Sequence, residues 1–158
     1  IASGTTVLAL AKKIQPIESL TVVTSALNVA MELIKHPNVE VIQLGGFLRK
    51  SSSSVTGPYA QNILNDFFCT KLFLGVDGID IELGLTTTNS MEAQLNRQMI
   101  AQSQKIIVLT DSTKFGRRGF GRICGLEEVN QVITDSGIPD HYKKDLESLG
   151  IEVIIVPA

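Results

Sequence analysis

The residues best suited to chemistry lie in short polar segments that follow apolar runs or precede helical patterns. Ser3-Gly4-Thr5-Thr6 stands directly before one such pattern. A glycine lets the backbone come close to a ligand, and hydroxyls with the free N–H groups of a first helical turn can hold an anion. Ser and Thr also cap helices routinely, so this segment alone has two readings. It is not a P-loop, because GxxxxGK[ST] is absent. Gly75-Val76-Asp77-Gly78-Ile79-Asp80 reads as a loop at the end of an apolar run. Carboxylates spaced like Asp77 and Asp80 can accept hydrogen bonds from sugar hydroxyls or hold a hard cation, and Asp-Gly equally favours a plain turn.

A third polar loop, Gly84-Leu85-Thr86-Thr87-Thr88-Asn89, is followed by Glu92. Its threonines are donors beside a helix start, and Glu92 could act as a base or bind a hydroxyl. Asn89-x-x-Glu92 also fits a capping-box pattern, in which both residues serve the helix alone. The fourth, Asp111-Ser112-Thr113-Lys114-Phe115-Gly116, carries Lys114 close to a strand end, where it can meet a phosphate as a point charge. Arg117, Arg118 and Arg122 add local positive charge, and they fit a solvated loop as well. His36 and His141 lie beside no strand-end nucleophile, so no Ser-His-Asp set is readable. Cys69 and Cys124 are far apart, without CxxC spacing, so neither a metal site nor a cofactor is expected.

Placing these segments on one surface requires a scaffold, and the apolar pattern predicts it. The runs 20–24, 39–46, 71–76, 105–110, 131–135 and 151–157 are rich in β-branched residues and nearly continuous in hydrophobicity, as strands covered on both faces are. Helical patterns alternate with them. Val7, Leu8, Ala11 and Ile14 mark one helix; Leu27, Ala30, Met31 and Ile34 mark a second. A third begins at Gly57-Pro58 with proline in its first turn. A fourth follows Asn89 with Met91, Leu95 and Met99 inward, and the last runs from Pro139 to a stop at Gly150. The alternation implies an α/β fold, a mainly parallel Rossmann-like sheet with helices on both faces, in a single domain over 1–158. Ser51–Ser54 reads as a loop. Ligands of such sheets bind beyond the carboxyl ends of the strands.

The 158 residues are 44% hydrophobic and 19% charged, which suits a soluble globular domain. With 14 basic and 16 acidic residues the formal charge is −2, so these residues are not expected to grip nucleic acid by themselves. No apolar run is long enough to span a membrane, and lone thiols fit a reducing cytoplasm. The chain opens at Ile1, without Met and directly in a motif, which reads as a piece of a longer protein.

In order and combination the segments SGTTVLALA (3–11), LTVVTSALNVAMEL (20–33), VEVIQLGGFLR (39–49), KLFLGVDGID (71–80), GLTTTNSMEA (84–93), IIVLTDSTKFG (106–116) and VITD (132–135) resemble the C-terminal effector-binding domain of DeoR-family bacterial transcriptional regulators. That resemblance implies a fold similar to ribose-5-phosphate isomerase and a phosphorylated sugar as effector. By matching motif positions, Ser3, Gly4, Thr5 and Thr6 would form a phosphate-side loop. Asp77, Gly78 and Asp80 would line the sugar with Thr87 and Glu92 nearby, Lys114 would approach the ligand, and Thr24 would face the same crevice. It also implies a homodimer or homotetramer, and operator DNA read by an N-terminal helix-turn-helix that these residues do not contain. The chain departs from the family pattern at Ala2 and Ser25. It also lacks, between Gly84 and Asn89, the lysine that the related isomerases carry after their paired aspartates, which argues for binding without turnover. A sugar-phosphate isomerase with Glu92 as base is the alternative. A nucleotide-binding domain is a weaker one, since GxGxxG is absent after any predicted strand.

Overall fold

The β-branched runs pair side by side in parallel, but not all are covered on both faces: Leu20, Ile154, Ile155 and Val156 are exposed on strands at the sheet edges. In chain order the elements are α1 (Thr5–Ala11), β1 (Leu20–Thr24), α2 (Leu27–Leu33), β2 (Val39–Gln43), β3 (Phe47–Arg49), β4 (Ser54–Thr56), α3 (Pro58–Leu64), β5 (Cys69–Gly75), β6 (Gly78–Asp80), β7 (Gly84–Thr87), α4 (Ser90–Ala101), β8 (Ser103–Leu109), β9 (Gly121–Cys124), β10 (Gln131–Asp135), α5 (Asp140–Ser148) and β11 (Glu152–Val156). The computed structural model describes residues 1–157. A four-stranded parallel sheet has the order β11-β10-β8-β5, and β1 and β2 form a separate parallel pair. The segment before α1 bridges the two. Ile1 donates its amine to Val23 O at 2.8 Å, and Ala2 N–H donates to Phe73 O at 3.0 Å.

Side chains alternate across these strands and build a core on each face. Leu72, Leu74, Ile106, Val108 and Val132 pack with Leu64 of α3, Leu95 and Met99 of α4, and Leu146 of α5. Phe73, Ile107, Leu109 and Ile133 pack on the other side with Val7 and Ala11 of α1 and Val29 and Leu33 of α2. Helices therefore cover both faces, and the fold is the mixed α/β architecture expected. Leu74 is fully buried one residue before the end of β5. Truncating such a leucine to alanine typically costs about 2–5 kcal/mol, so the same packing that stabilises the sheet holds its functional end in place.

Several local expectations are corrected. The stretches around Gly78–Asp80 and Gly84–Thr87 are strands rather than loops, and β6, β7 and β9 form an antiparallel three-stranded sheet. With three or four residues each, they are too short to display a two-residue period. Gly84 has φ +89°, and a Cβ there would lie 2.1 Å from Cys124 O, so only glycine fits the crossing of β7 over β9. Ser51–Ser53 form the turn of the antiparallel β3–β4 hairpin, and Ser54 begins β4. The second helix buries Val29, Ala30 and Leu33, whereas Met31 and Ile34 are exposed. LNVAMEL is apolar around most of its circumference, so the stripe that faces the core is not marked by composition. Helix α1 ends at Ala11, before Ile14, and Met91 sits on the exposed side of α4 while Leu95 and Met99 point inward. Among the described residues no helix is long and apolar enough to cross a membrane.

Candidate functional site

Strands β5 and β8 are neighbours in the parallel sheet and end at Gly75 and Leu109. Beyond them opens a cavity of about 420 Å³. Its walls come from the loop before α1, the ends of β5, β7 and β8, the first turns of α2 and α4, the β3–β4 hairpin and the turn carrying Lys114. The loop before α1 lies against the end of β5. A Cβ on Gly75 would stand 2.8 Å from Ser3 O, so glycine at that strand end is what permits the close approach.

Ser3, Gly4, Thr5 and Thr6 all line the cavity. The helix-capping reading of this segment does not describe what its side chains do. The N-cap of α1 is Gly4 and no side chain caps it. The first intrahelical bond runs from Leu8 N–H to Gly4 O at 2.9 Å, so the amides of Thr5, Thr6 and Val7 have no helical acceptor. Ser3, though buried, donates its hydroxyl to Glu92 Oε1 at 2.9 Å.

Glu92 does half of what a capping box does. Its N–H donates to the N-cap Asn89 Oδ1 at 3.0 Å, but its carboxylate turns into the cavity. There Oε1 accepts from Ser3, and Oε2 accepts from the guanidinium of Arg49, reaching over from β3. Asp77 lines the same space. Its Oδ2 accepts from Thr87 Oγ1 at 2.8 Å and from Thr88 N–H at 3.1 Å, which fixes the carboxylate against the end of β7 and leaves Oδ1 without a protein donor among the described residues.

Lys114 closes another wall from the turn Ser112–Lys114 and makes no ion pair among the described residues. Two aspartates shape that turn. Asp111 accepts from Thr113 N–H at 2.9 Å, and hydrogen bonding from the Thr113 hydroxyl above all holds its carboxyl below the ordinary range, with the nearby Lys114 charge adding a smaller share. Asp135, at the end of β10, accepts from Ser112 N–H and from Gly137 N–H, both at 2.8 Å. The bond from Ser112 is the main reason its carboxyl is held low.

Three residues expected at the site lie outside the cavity lining. Thr24 ends β1, but it is fully buried and its hydroxyl accepts from Ala26 N–H at 3.1 Å. Gly78 packs under Arg117, where a Cβ would meet Arg117 O at 2.3 Å. Asp80 accepts from Glu82 N–H and Leu83 N–H at 3.0 and 2.8 Å and pairs with Arg118 at 2.8 Å. That arginine is the main cause of its depressed pKa. Asp80 is thus used up in a local turn, whereas Asp77, the aspartate of the Asp-Gly pair, lines the cavity. Ala2 and Ser25 are both buried and neither lines the cavity, so the departures there do not reach a ligand in it directly.

Thr88, from the threonine loop read in the sequence, lines the cavity, as do Asn28, Arg49, Ser51, Ser52, Ser53 and Thr110, which spacing does not single out. For Arg49 the only sequence signal is its place at the end of VEVIQLGGFLR. Among the described residues no group of His, Cys, Asp and Glu is arranged to hold a metal ion. Cys124 is removed from chemistry by burial, which pushes its thiol up to about 12. Chemically the cavity offers a free cation, an unclaimed carboxylate oxygen, several hydroxyls and helix-start amides, a set suited to a polyhydroxylated anion.

Comparison with known proteins shows the family. Residues 1–136 match the family described as DeoR C terminal sensor domain. A relative from Escherichia coli O157:H7, named as a transcriptional repressor of the aga operon, is 39% identical over 98% of this chain and 57% of its own length. The HTH-type regulator YulB of Bacillus subtilis is 38% identical over 92% of the chain and 56% of its own length. The HTH-type regulator GlpR of Haloferax volcanii is 34% identical, over 96% and 59% respectively. The chain thus spans somewhat more than half the length of the curated relatives it matches.

Proposed function

The chain belongs to the DeoR C-terminal sensor domain family, and from that premise we propose that it is the effector-sensing part of a transcriptional regulator whose cavity binds a phosphorylated sugar. One juxtaposition carries the reading: among the described residues Lys114 is a cation without an ion pair and Asp77 a carboxylate with a free oxygen, and both line the same cavity beyond β5 and β8. The ammonium and the amides of the first α1 turn suit a phosphate, and Asp77 with Thr87 suits sugar hydroxyls. Eight of the cavity positions, Ser3, Gly4, Thr5, Thr6, Asp77, Thr87, Glu92 and Lys114, are our proposed ligand contacts.

Occupancy acts on operator DNA through a helix-turn-helix segment outside these residues, as the HTH-type names of relatives that extend beyond the matched part suggest. The sensor works as a homodimer or homotetramer, because two-fold subunits match paired operator half-sites. To change DNA binding, the effector must bind one subunit arrangement more tightly than the other.

Turnover is not part of the proposal. An isomerase needs a base and an electrophile around one substrate, and the stretch Gly84 to Asn89 lacks the lysine that the related isomerases carry. Calorimetry on Lys114→Ala tests the ligand class. The variant should lose phosphorylated sugars far more than the parent sugars, and equal losses for both would remove Lys114 from the phosphate role.

A further inference from the structure

The two strands of the β3–β4 hairpin are held very differently. Inner strand β4 is buried and anchored: Val55 N–H donates to Ser25 O at 2.9 Å, and the preceding Ser53 O accepts from Leu27 N–H at 2.8 Å. Outer strand β3 has Phe47 and Leu48 more than half exposed. Apart from its ladder to β4 and a tilted contact between the Phe47 and Tyr59 rings at 6.2 Å, its polar tie to the rest of the fold is Arg49, which reaches across the cavity rim to Glu92 on α4. A strand that buries so little apolar surface has a low local opening free energy, so the largely buried Arg49–Glu92 pair is what ties it to α4.

Arg49 and Glu92 both line the cavity and both have capacity left over. The guanidinium donates to Glu92 Oε2 and to Ser51 Oγ at 3.3 Å, which leaves further N–H donors. Each Glu92 oxygen accepts one hydrogen bond, which leaves lone pairs. A ligand carrying an acceptor beside a hydroxyl can therefore bridge the pair without breaking it.

We propose that Arg49 is the positioning residue of a lid. Occupancy holds strand β3 shut over the cavity, because the ligand adds a second bridge to the one that already joins Arg49 on β3 to Glu92 on α4. Closure draws Phe47 and Leu48 with it, so occupancy is reported on the outer face of the hairpin. The identity of the ligand rests on the sugar-phosphate reading above; the lid rests on the Arg49 geometry.

Hydrogen–deuterium exchange of the 47–56 segment in the intact protein tests this, with ribose 5-phosphate, glucose 6-phosphate and inorganic phosphate as probes and calorimetry alongside to establish binding. In the wild type a bound probe should slow exchange at 47–49 about tenfold. Arg49→Met should abolish that response while leaving β4 protected, and Arg49→Lys, which keeps the charge but not the fork, should retain part of it. A probe that binds without altering exchange at 47–49, or alters it equally in Arg49→Met, overturns the lid and leaves the ligand reading standing. If no phosphorylated probe binds the wild type, the ligand reading fails and the ligand-bridged lid falls with it.

Discussion

Ser3 donates its hydroxyl to Glu92 at 2.9 Å across 89 positions of sequence. The bond joins the loop before α1 to the first turn of α4, and it occupies one oxygen of the carboxylate that an isomerase would use as its base. Two consequences separate sensing from catalysis. Purified protein incubated with pentose and hexose phosphates should show no isomerisation above background, and Glu92→Gln should weaken sugar-phosphate binding. Turnover present in the wild type and lost in Glu92→Gln would replace the sensor reading with the enzymatic one.

The turn that carries Lys114 is built by Asp135, which accepts from Ser112 N–H and Gly137 N–H. Asp135→Asn keeps the shape of the side chain but removes its charge and weakens both bonds. It should weaken phosphorylated ligands while sparing the fold. Calorimetry checks this, and an unchanged affinity would show that Lys114 reaches the ligand without that support.

The pH dependence of stability follows from the same group. Asp80, Asp111 and Asp135 have folded-state carboxyls held below the ordinary value of 3.8. Their stabilisation is fully present above that value, because folded and unfolded states are then both ionised and only the folded state gains the hydrogen bonds. It is lost as pH falls from 3.8 toward the folded values, where the unfolded chain binds protons first. The contribution of these three carboxyls to the melting temperature should stay nearly level from pH 7 to about 5 and fall below about 4. Asp135→Asn should have a shallower drop than the wild type, and identical slopes would mean that Asp135 contributes nothing to acid sensitivity.

Gly84 gives a sharp test of the antiparallel sheet that carries Thr87. Its φ of +89° and the 2.1 Å approach of a built Cβ to Cys124 O combine strain with a backbone clash. Gly84→Ala should cost about 3 kcal/mol or more by denaturant melts. A loss below about 1 kcal/mol would show that β7 and β9 separate easily.

The parallel sheet was legible because KLFLGV and KIIVLT advertise burial on both faces, and Gly57-Pro58 and Gly150 marked helix ends through their backbone chemistry. The strands β6 and β7 were not legible, since GID and GLTT are too short to carry a period. At the site, polar residues next to strand ends could be read from spacing, and Ser3, Asp77, Thr87, Glu92 and Lys114 do share one cavity. Thr24 could not be placed from its strand-end position alone. It shares the parity of Val22, a core residue, and its side chain is buried. Asp77 and Asp80 look alike in sequence, and only the course of β6 turns one toward the cavity and the other toward Arg118. Arg49 was hidden because its partner Glu92 is distant in sequence and meets it only through the hairpin.

A phosphorylated sugar seated in the cavity beyond β5 and β8 would stabilise the folded state. The most direct measurement is a thermal-shift screen of the protein against phosphorylated sugars and their unphosphorylated parents, since a ligand that binds only the folded state must raise the melting temperature. At about 100 times its dissociation constant a true ligand contributes about 2.7 kcal/mol, which is several degrees for a domain of this size. At least one phosphorylated sugar should give such a shift, its parent a much smaller one, and the difference should vanish in Lys114→Ala. Equal shifts for a sugar and its phosphate, or none with any phosphorylated sugar, would contradict the sugar-phosphate reading.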